Sequence, residues 1–162
     1  TIASLLAVVA TSPARQVCVT GGEPLSQKEC LPLLTALCDA GYDVSLETSG
    51  AIDISGVDQR VSRVLDIKTP GSAEVDRNLW SNLPLLTPRD QVKFVICSRA
   101  DFDWAKGVVA EHRLHEVCDV LFSPSAAQVP ARELADWIVA GKLPVRFQMQ
   151  LHKLLWNDEP GR

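Results

Sequence analysis

A chain of 162 residues, 46% of them hydrophobic, has the apolar mass for one folded domain with its own core and is not a disordered or fibrous polymer. Its formal net charge of −4 carries no electrostatic footprint for nucleic acid. Five cysteines, an odd number with no Cys-x-x-Cys pair, argue against a disulfide framework and for a reducing, cytoplasmic setting in which each is a small buried hydrophobe.

Residues 2–10 form an apolar run with no basic segment before it, too short to cross a membrane. Ile2, Leu5, Leu6 and Val9 share one helical face, so the run reads as the tail of an amphipathic helix and the chain is expected to start inside a fold. Val17-Cys18-Val19 then reads as a short buried strand that Thr20 ends. Gly21 and Gly22 allow a sharp turn with no Cβ in the way. Glu23 adds a carboxylate, and Pro24 fixes the exit without offering a donor. The strand end therefore presents acceptors, which suit an ammonium group; a phosphate would want donors. A bare Gly-Gly pair is more simply an ordinary turn, but the complete Thr-Gly-Gly-Glu-Pro string after a strand tips the reading toward a site.

Ser26-Gln27-Lys28-Glu29 has the form of a capping box. It leads a helix through Leu33, Leu34 and Leu37 to Ala40, with Pro32 early and Gly41 as the stop. Residues 43–47 alternate as a strand that ends in Thr48-Ser49-Gly50. Residues 51–62 hold a helical turn at most. Residues 64–68 form the next strand, closed by Thr69-Pro70-Gly71-Ser72, and a loop with a short helix follows around 76–82. Residues 91–96 form another strand. Ser98 caps a helix over 100–112, with Trp104 and Val108 on its inner face. Residues 120–122 are a strand closed by the turn Ser123-Pro124-Ser125. Pro130 opens a helix whose apolar face is Leu134, Trp137 and Ile138, before Gly141. Residues 145–150 are extended, and 151–156 form a closing segment.

Repeated strand–helix alternation implies an α/β fold of parallel strands with right-handed crossovers. The polar strings all fall just after strands, where parallel barrels and open sheets bind ligands. The reading is one domain over 1–162, an open partial (β/α) barrel, with a doubly wound sheet as the second choice.

At the rim, Glu47 with Thr48, Ser49 and Gly50 suits ribose hydroxyls. A structural cap accounts equally well for Ser49, and Glu47 at the end of a buried strand needs a partner. Asp66 and Lys68 share one strand face. Lys68 either pairs with Asp66 as plain structure or meets another carboxylate, such as that of bound methionine. Ser123-Pro124-Ser125 alone would be a generic loop. His112 and His115 read as surface residues, and no zinc site or Ser-His-Asp triad is visible.

Taken together, Thr20–Pro24, Glu47-Thr48-Ser49-Gly50, Asp66-Ile67-Lys68-Thr69-Pro70, Phe122-Ser123-Pro124 and the tail Gln150-x-x-Lys153-x-x-Trp156 with Asp158-Glu159-Pro160 resemble a known family. The first string is similar to the Gly-Gly-Glu-Pro motif of radical S-adenosylmethionine (SAM) enzymes. The tail narrows the likeness to the 7-carboxy-7-deazaguanine synthase family of deazapurine (queuosine) biosynthesis, from about residue 5 to the end. The resemblance implies that Thr20 touches a pterin substrate and that Gly22 and Glu23 receive the SAM amino group. Glu47 and Ser49 would face the ribose, while Lys68, Thr69, Pro70, Ser123, Pro124 and Ser125 would line the SAM pocket. His152 would contact substrate. So would Pro160, whose family counterpart is a terminal residue, whereas Gly161 and Arg162 follow it here.

The implied activity is that of a carbon–nitrogen lyase. It contracts 6-carboxy-5,6,7,8-tetrahydropterin to 7-carboxy-7-deazaguanine by SAM-dependent radical chemistry, losing ammonia and regenerating SAM. The implied cofactors are SAM, a [4Fe-4S] cluster and Mg2+; the implied partners are the pterin, an external electron donor such as flavodoxin and a second copy in a homodimer, with no nucleic acid and no membrane. The family's cluster loop is a Cys-x-x-x-Cys-x-x-Cys string after the first strand, and this chain has none. Cys18 lies in a strand, and Cys30 and Cys38 lie two helical turns apart, so they do not replace it. The expectation is an N-terminally truncated barrel without its first strand and cluster loop, inactive alone. The alternatives are another radical SAM enzyme such as a glycyl-radical activase, or a cluster-free SAM- or nucleoside-binding module.

Overall fold

The structure, a computed structural model, describes residues 1–126, 128–151, 155 and 159. Six parallel strands form one sheet in sequential order: β1 Gln16–Val19, β2 Asp43–Thr48, β3 Ser62–Ile67, β4 Gln91–Ile96, β5 Asp119–Pro124 and β6 Arg146–Phe147. Each crossover steps one strand sideways and none turns back. A doubly wound sheet reverses direction at a switch point, so the partial (β/α) barrel stands.

The helices are α1 Ile2–Val9, α2 Cys30–Asp39, α3 Arg99–Glu111, α4 Leu114–Val117 and α5 Ala131–Gly141. Strand alternation sends Val44, Leu46, Leu65, Ile67, Val92, Phe94, Ile96 and Phe122 into one core with Leu34 and Leu37 of α2, Phe102 and Ala105 of α3, and Leu134 and Ile138 of α5. Phe94 and Phe102 each meet Phe122 edge-on, with ring centroids 5.5 and 5.9 Å apart. Full burial of each such ring stabilises the fold by about 1.5–3 kcal/mol. The intervening strand residues belong to the other face, among them Cys18, Ser45, Glu47, Asp66, Lys93 and Val95, and these are half-buried or exposed. Parallel sheets are usually covered on both sides; among the described residues the helices lie on one, and the other is mixed, with Glu47, Asp66 and Lys93 beside Val95 and with Leu121 and Ser123 buried.

Several elements differ from the sequence reading. β1 is an edge strand, so Cys18 is exposed and Val17 only half-buried, not a buried strand. Cys38 and Cys97 are also only partly buried, whereas Cys30 and Cys118 are buried as expected. The capping box does not form. Pro24–Ser26 make a 3-10 turn, Ser26 Oγ donates to the Glu23 carbonyl (2.7 Å), and α2 starts only at Cys30. That start places Pro32 in the first turn, where its missing N–H costs nothing; an earlier start would set it in the helix interior. β5 runs through Pro124, in register with β4 as far as Ile96, so Ser123 and Pro124 are strand and not turn.

In α1, Leu6 and Val9 pack on the core, but Leu5 is half exposed. α4 was not anticipated; Arg113, at φ 51°, turns the chain into it. α5 includes Gly141, and Lys142 takes the left-handed closing position at φ 47°. Residues 70–85 form three 3-10 turns where one short helix was expected. Of the tail, Leu151 and Leu155 are helical and exposed. His152, Lys153, Trp156, Asp158 and Pro160 lie outside the described residues. Among the described residues no helix is long and apolar enough to cross a membrane.

Candidate functional site

The carboxyl ends of β1, β2 and β3 meet at a cavity of about 330 Å3 lined by Glu23, Ser26, Ser49, Ala51, Ile52, Lys68, Glu74 and Arg77. Three residues from three separate strings, Glu23, Ser49 and Lys68, thus face one space. A larger cavity, about 500 Å3, lies lower on the face opposite the helices, along Gln16, Cys18, Asp43, Glu47, Arg60, Ser62, Arg89 and Gln91. It sits toward the amino ends of the strands, away from the polar turns, and the smaller cavity is the one that matches the chemistry. Glu47 belongs to the lower cavity. It is exposed and needs no buried partner, contrary to the sequence reading.

Glu23 is the hub of the rim. Its carboxylate accepts from Leu25 N–H (3.1 Å), Thr48 Oγ1 (2.9 and 3.0 Å), Ser49 N–H (2.8 Å) and Ser49 Oγ (2.5 Å). Burial pushes its pKa up, but the Ser49 hydrogen bonds, with those from Leu25 and Thr48, outweigh burial and leave it lowered. The side chain therefore straps the glycine turn to the end of β2. Thr48, which is buried, is a site residue that sequence reasoning left as part of a polar turn. Gly21 (φ 99°) and Gly22 (φ 57°) are left-handed, and among the described residues nothing lies within 4 Å of where a Cβ would sit on either, so the turn is open. Thr20 and Gly21 line a neighbouring cavity of about 320 Å3 with Ile2, Leu5, Pro24 and Leu33.

Lys68 Nζ pairs with Asp66 Oδ2 at 2.8 Å, so the pairing left open by the sequence is present. Asp66 Oδ1 is buried without a partner among the described residues. Asn78 grips the Lys68 backbone at both ends: its Oδ1 accepts Lys68 N–H and its Nδ2 donates to the Lys68 carbonyl, both at 2.9 Å. Nothing in the sequence marked Asn78, because its partner is ten residues away on an irregular segment. Thr69 is buried and donates to the Val95 carbonyl (3.1 Å), while Pro70 is exposed. Ser123 is 1% exposed and its Oγ has no partner among the described residues. Cross-strand register with Val95 sets it on the face opposite the helices. Pro124 lines a separate cavity with Val129 and Met149, and Ser125 Oγ donates to Gln128 Oε1 (2.7 Å).

An open glycine turn, a lysine ammonium and an unpartnered buried hydroxyl at one sheet end fit a ligand carrying amino, carboxylate and hydroxyl groups. Among the described residues no three His, Cys, Asp or Glu side chains are grouped to hold a metal ion.

The fold has solved counterparts. QueE from Escherichia coli matches with a TM-score of 0.73 at 22% identity, covering 93% of this chain and 63% of that one. Streptococcus suis SuiB, solved bound to S-adenosylmethionine, matches with a TM-score of 0.58 at 12% identity. The sequential parallel sheet thus shares its fold with these two structures, as an open partial (β/α) barrel. No family model matches the chain. Curated relatives are more specific. The 7-carboxy-7-deazaguanine synthase of Chlorobaculum tepidum is 42% identical over 144 residues, 87% of this chain and 66% of the relative. Those of Koribacter versatilis and Thermoplasma acidophilum are 38% and 33% identical, covering 91% and 99% of this chain and 72% and 76% of theirs. The chain belongs to the 7-carboxy-7-deazaguanine synthase family. It spans about two thirds of the length of the first of these relatives.

Proposed function

We propose that the chain forms the SAM- and pterin-binding part of a 7-carboxy-7-deazaguanine synthase. Such an enzyme is a lyase that contracts 6-carboxy-5,6,7,8-tetrahydropterin to 7-carboxy-7-deazaguanine with loss of ammonia. The observation that carries the reading is the convergence of Glu23, Ser49 and Lys68 on one cavity beside the open glycine turn.

In this reading the Gly21–Gly22 carbonyls accept from the ammonium of bound SAM. Glu23 stiffens that turn and keeps a negative charge next to it. Lys68 exchanges its Asp66 partner for the methionine carboxylate. Ser49 and Ser123 offer hydroxyls to the sugar, with Thr69, Pro70, Pro124 and Ser125 shaping the wall and Thr20 turned to the pterin. Glu47, from the lower cavity, approaches the ribose only from the face opposite the helices. Bound SAM, given one electron by the reduced cluster, would supply the radical chemistry of the ring contraction; the protein binds, orients and excludes water. The family resemblance adds a [4Fe-4S] cluster and Mg2+ as cofactors of the intact enzyme. A cytoplasmic setting, an electron donor of the flavodoxin class, a homodimer and a single-domain organisation complete the proposal.

The test is anaerobic incubation of the full-length protein, loaded with iron and sulfide, with SAM, Mg2+, a reductant and the tetrahydropterin. Formation of 7-carboxy-7-deazaguanine, read by mass, is the expected result. SAM consumption with no deazaguanine would overturn it in favour of another radical SAM enzyme. Tight SAM binding that survives iron removal, with no turnover, would favour a binding module.

A further inference from the structure

We infer that Asp101, in the first turn of α3, is a positioning residue that holds two of the proposed SAM-contacting segments at one spacing. The inference rests on the SAM reading above. Asp101 is 1% exposed, and its carboxylate reaches two loops: Oδ1 accepts Gly71 N–H (2.8 Å) and Oδ2 accepts Cys97 N–H (3.1 Å). Gly71 directly follows Lys68-Thr69-Pro70, and Cys97 directly follows β4. The same β4 end receives both flanking strings, because Thr69 Oγ1 donates to the Val95 carbonyl (3.1 Å) and Ser125 N–H donates to the Ile96 carbonyl (2.9 Å). One buried carboxylate therefore ties the turn after β3 to the end of β4, which in turn carries the end of β5.

The packing leaves little freedom in this arrangement. A Cβ on Gly71 would lie 2.4 Å from Asp101 Oδ2, so only glycine lets the loop approach the carboxylate this closely. The Ser98 Oγ caps α3 by accepting Asp101 N–H (3.1 Å), a backbone contact separate from the carboxylate's two hydrogen bonds. Each N–H donor here has its own carboxylate oxygen. An asparagine there keeps one acceptor and turns an NH2 toward the other amide, so its loss falls on loop position more than on side-chain volume. Asp101 touches neither the cavity nor any proposed ligand, and it acts through the loops.

The test compares Asp101→Asn with wild type in the full-length, cluster-loaded protein, reading SAM affinity by calorimetry and KM for each substrate. SAM affinity should fall about tenfold, with KM for the pterin changed less than twofold and the cluster absorbance unchanged. Ser98→Ala, which removes the cap but leaves the carboxylate, serves as a stability control: it should lower Tm without moving SAM affinity. If Asp101→Asn does not fold, Gly71→Ala carries the test, since it displaces the loop and keeps Asp101; the same tenfold loss is expected. Unchanged SAM affinity in the folded variant, or equal loss for SAM and pterin, would overturn the inference. Wild-type protein that binds no SAM at all would overturn the SAM reading itself and this inference with it.

Discussion

The two ends of the sheet hold carboxylates in opposite ways. At the lower end, Asp90 is buried and accepts from Arg63 N–H, Arg63 Nε (2.9 Å) and Nη2 (2.5 Å), and Thr87 N–H and Oγ1. Every oxygen is satisfied and a guanidinium balances the charge. At the upper end, Glu23 is bound by neutral donors alone, and the neighbouring elements leave atoms without partners. Asp66 Oδ1, Ser123 Oγ and Gln148 Oε1 are all buried and unpartnered among the described residues, and all lie in the last two residues of a strand or just after one. A buried unpaired polar atom costs roughly 1–3 kcal/mol, so in the proposed reading a ligand at this end would complete their hydrogen bonding. In that reading the lower end serves stability and the upper end binds the ligand, as in parallel barrels.

The largest effect should come from breaking the lower end. Asp90→Ala strands the Arg63 guanidinium in a buried site, and unfolding in urea should show a loss of about 3–5 kcal/mol. SAM affinity in any protein that stays folded should be unaffected. Next, Lys68→Met should reverse that pattern. Its pair with Asp66 is partly exposed and contributes at most about 1 kcal/mol to stability. SAM affinity, by contrast, should fall roughly 10- to 100-fold, the equivalent of about 1.4–2.8 kcal/mol, as read by calorimetry.

The pH dependence is smaller. Burial works to raise the pKa of both Glu23 and Asp90, but hydrogen bonds, from Ser49 first at Glu23 and from Arg63 first at Asp90, outweigh it and leave both lowered in the fold. A group whose folded pKa is depressed adds stability above its unfolded pKa and loses it as pH falls through the folded value. Stability should therefore hold near neutrality and decline below about pH 4, where model carboxylates protonate. Glu23→Gln should flatten part of that decline and cost about 1–2 kcal/mol at pH 7. The smallest effect expected is that of Ser123→Ala. Removing an unpartnered hydroxyl should leave Tm unchanged or slightly raised, while SAM affinity drops a few-fold. A clear loss of Tm there would break the contrast between the two ends.

Much of this was legible in the sequence. β4 was placed to the residue because Gln91–Ile96 alternates cleanly, and α3 to within one residue at each end because Ser98 caps it. The strings carrying Glu23, Ser49 and Lys68 were visible because glycine, proline and hydroxyl residues after a strand have local meaning. What was missed depended on distant partners. Whether β1 is buried depends on its neighbours, not on its own valines. The Thr48–Glu23, Arg63–Asp90 and Gly71–Asp101 contacts join residues 25 to 30 positions apart and leave no local pattern. Pro124 misled because proline suggests a turn, yet at a strand end it fits.

Hydrogen–deuterium exchange of the full-length, cluster-loaded protein with and without SAM tests the central claim most directly. Exchange should slow at residues 20–25, 48–51, 68–72 and 123–126, and stay unchanged at 43–45, 60–62 and 87–91. Protection of the lower stretches with an unaltered rim would contradict a SAM site at the carboxyl ends of these strands.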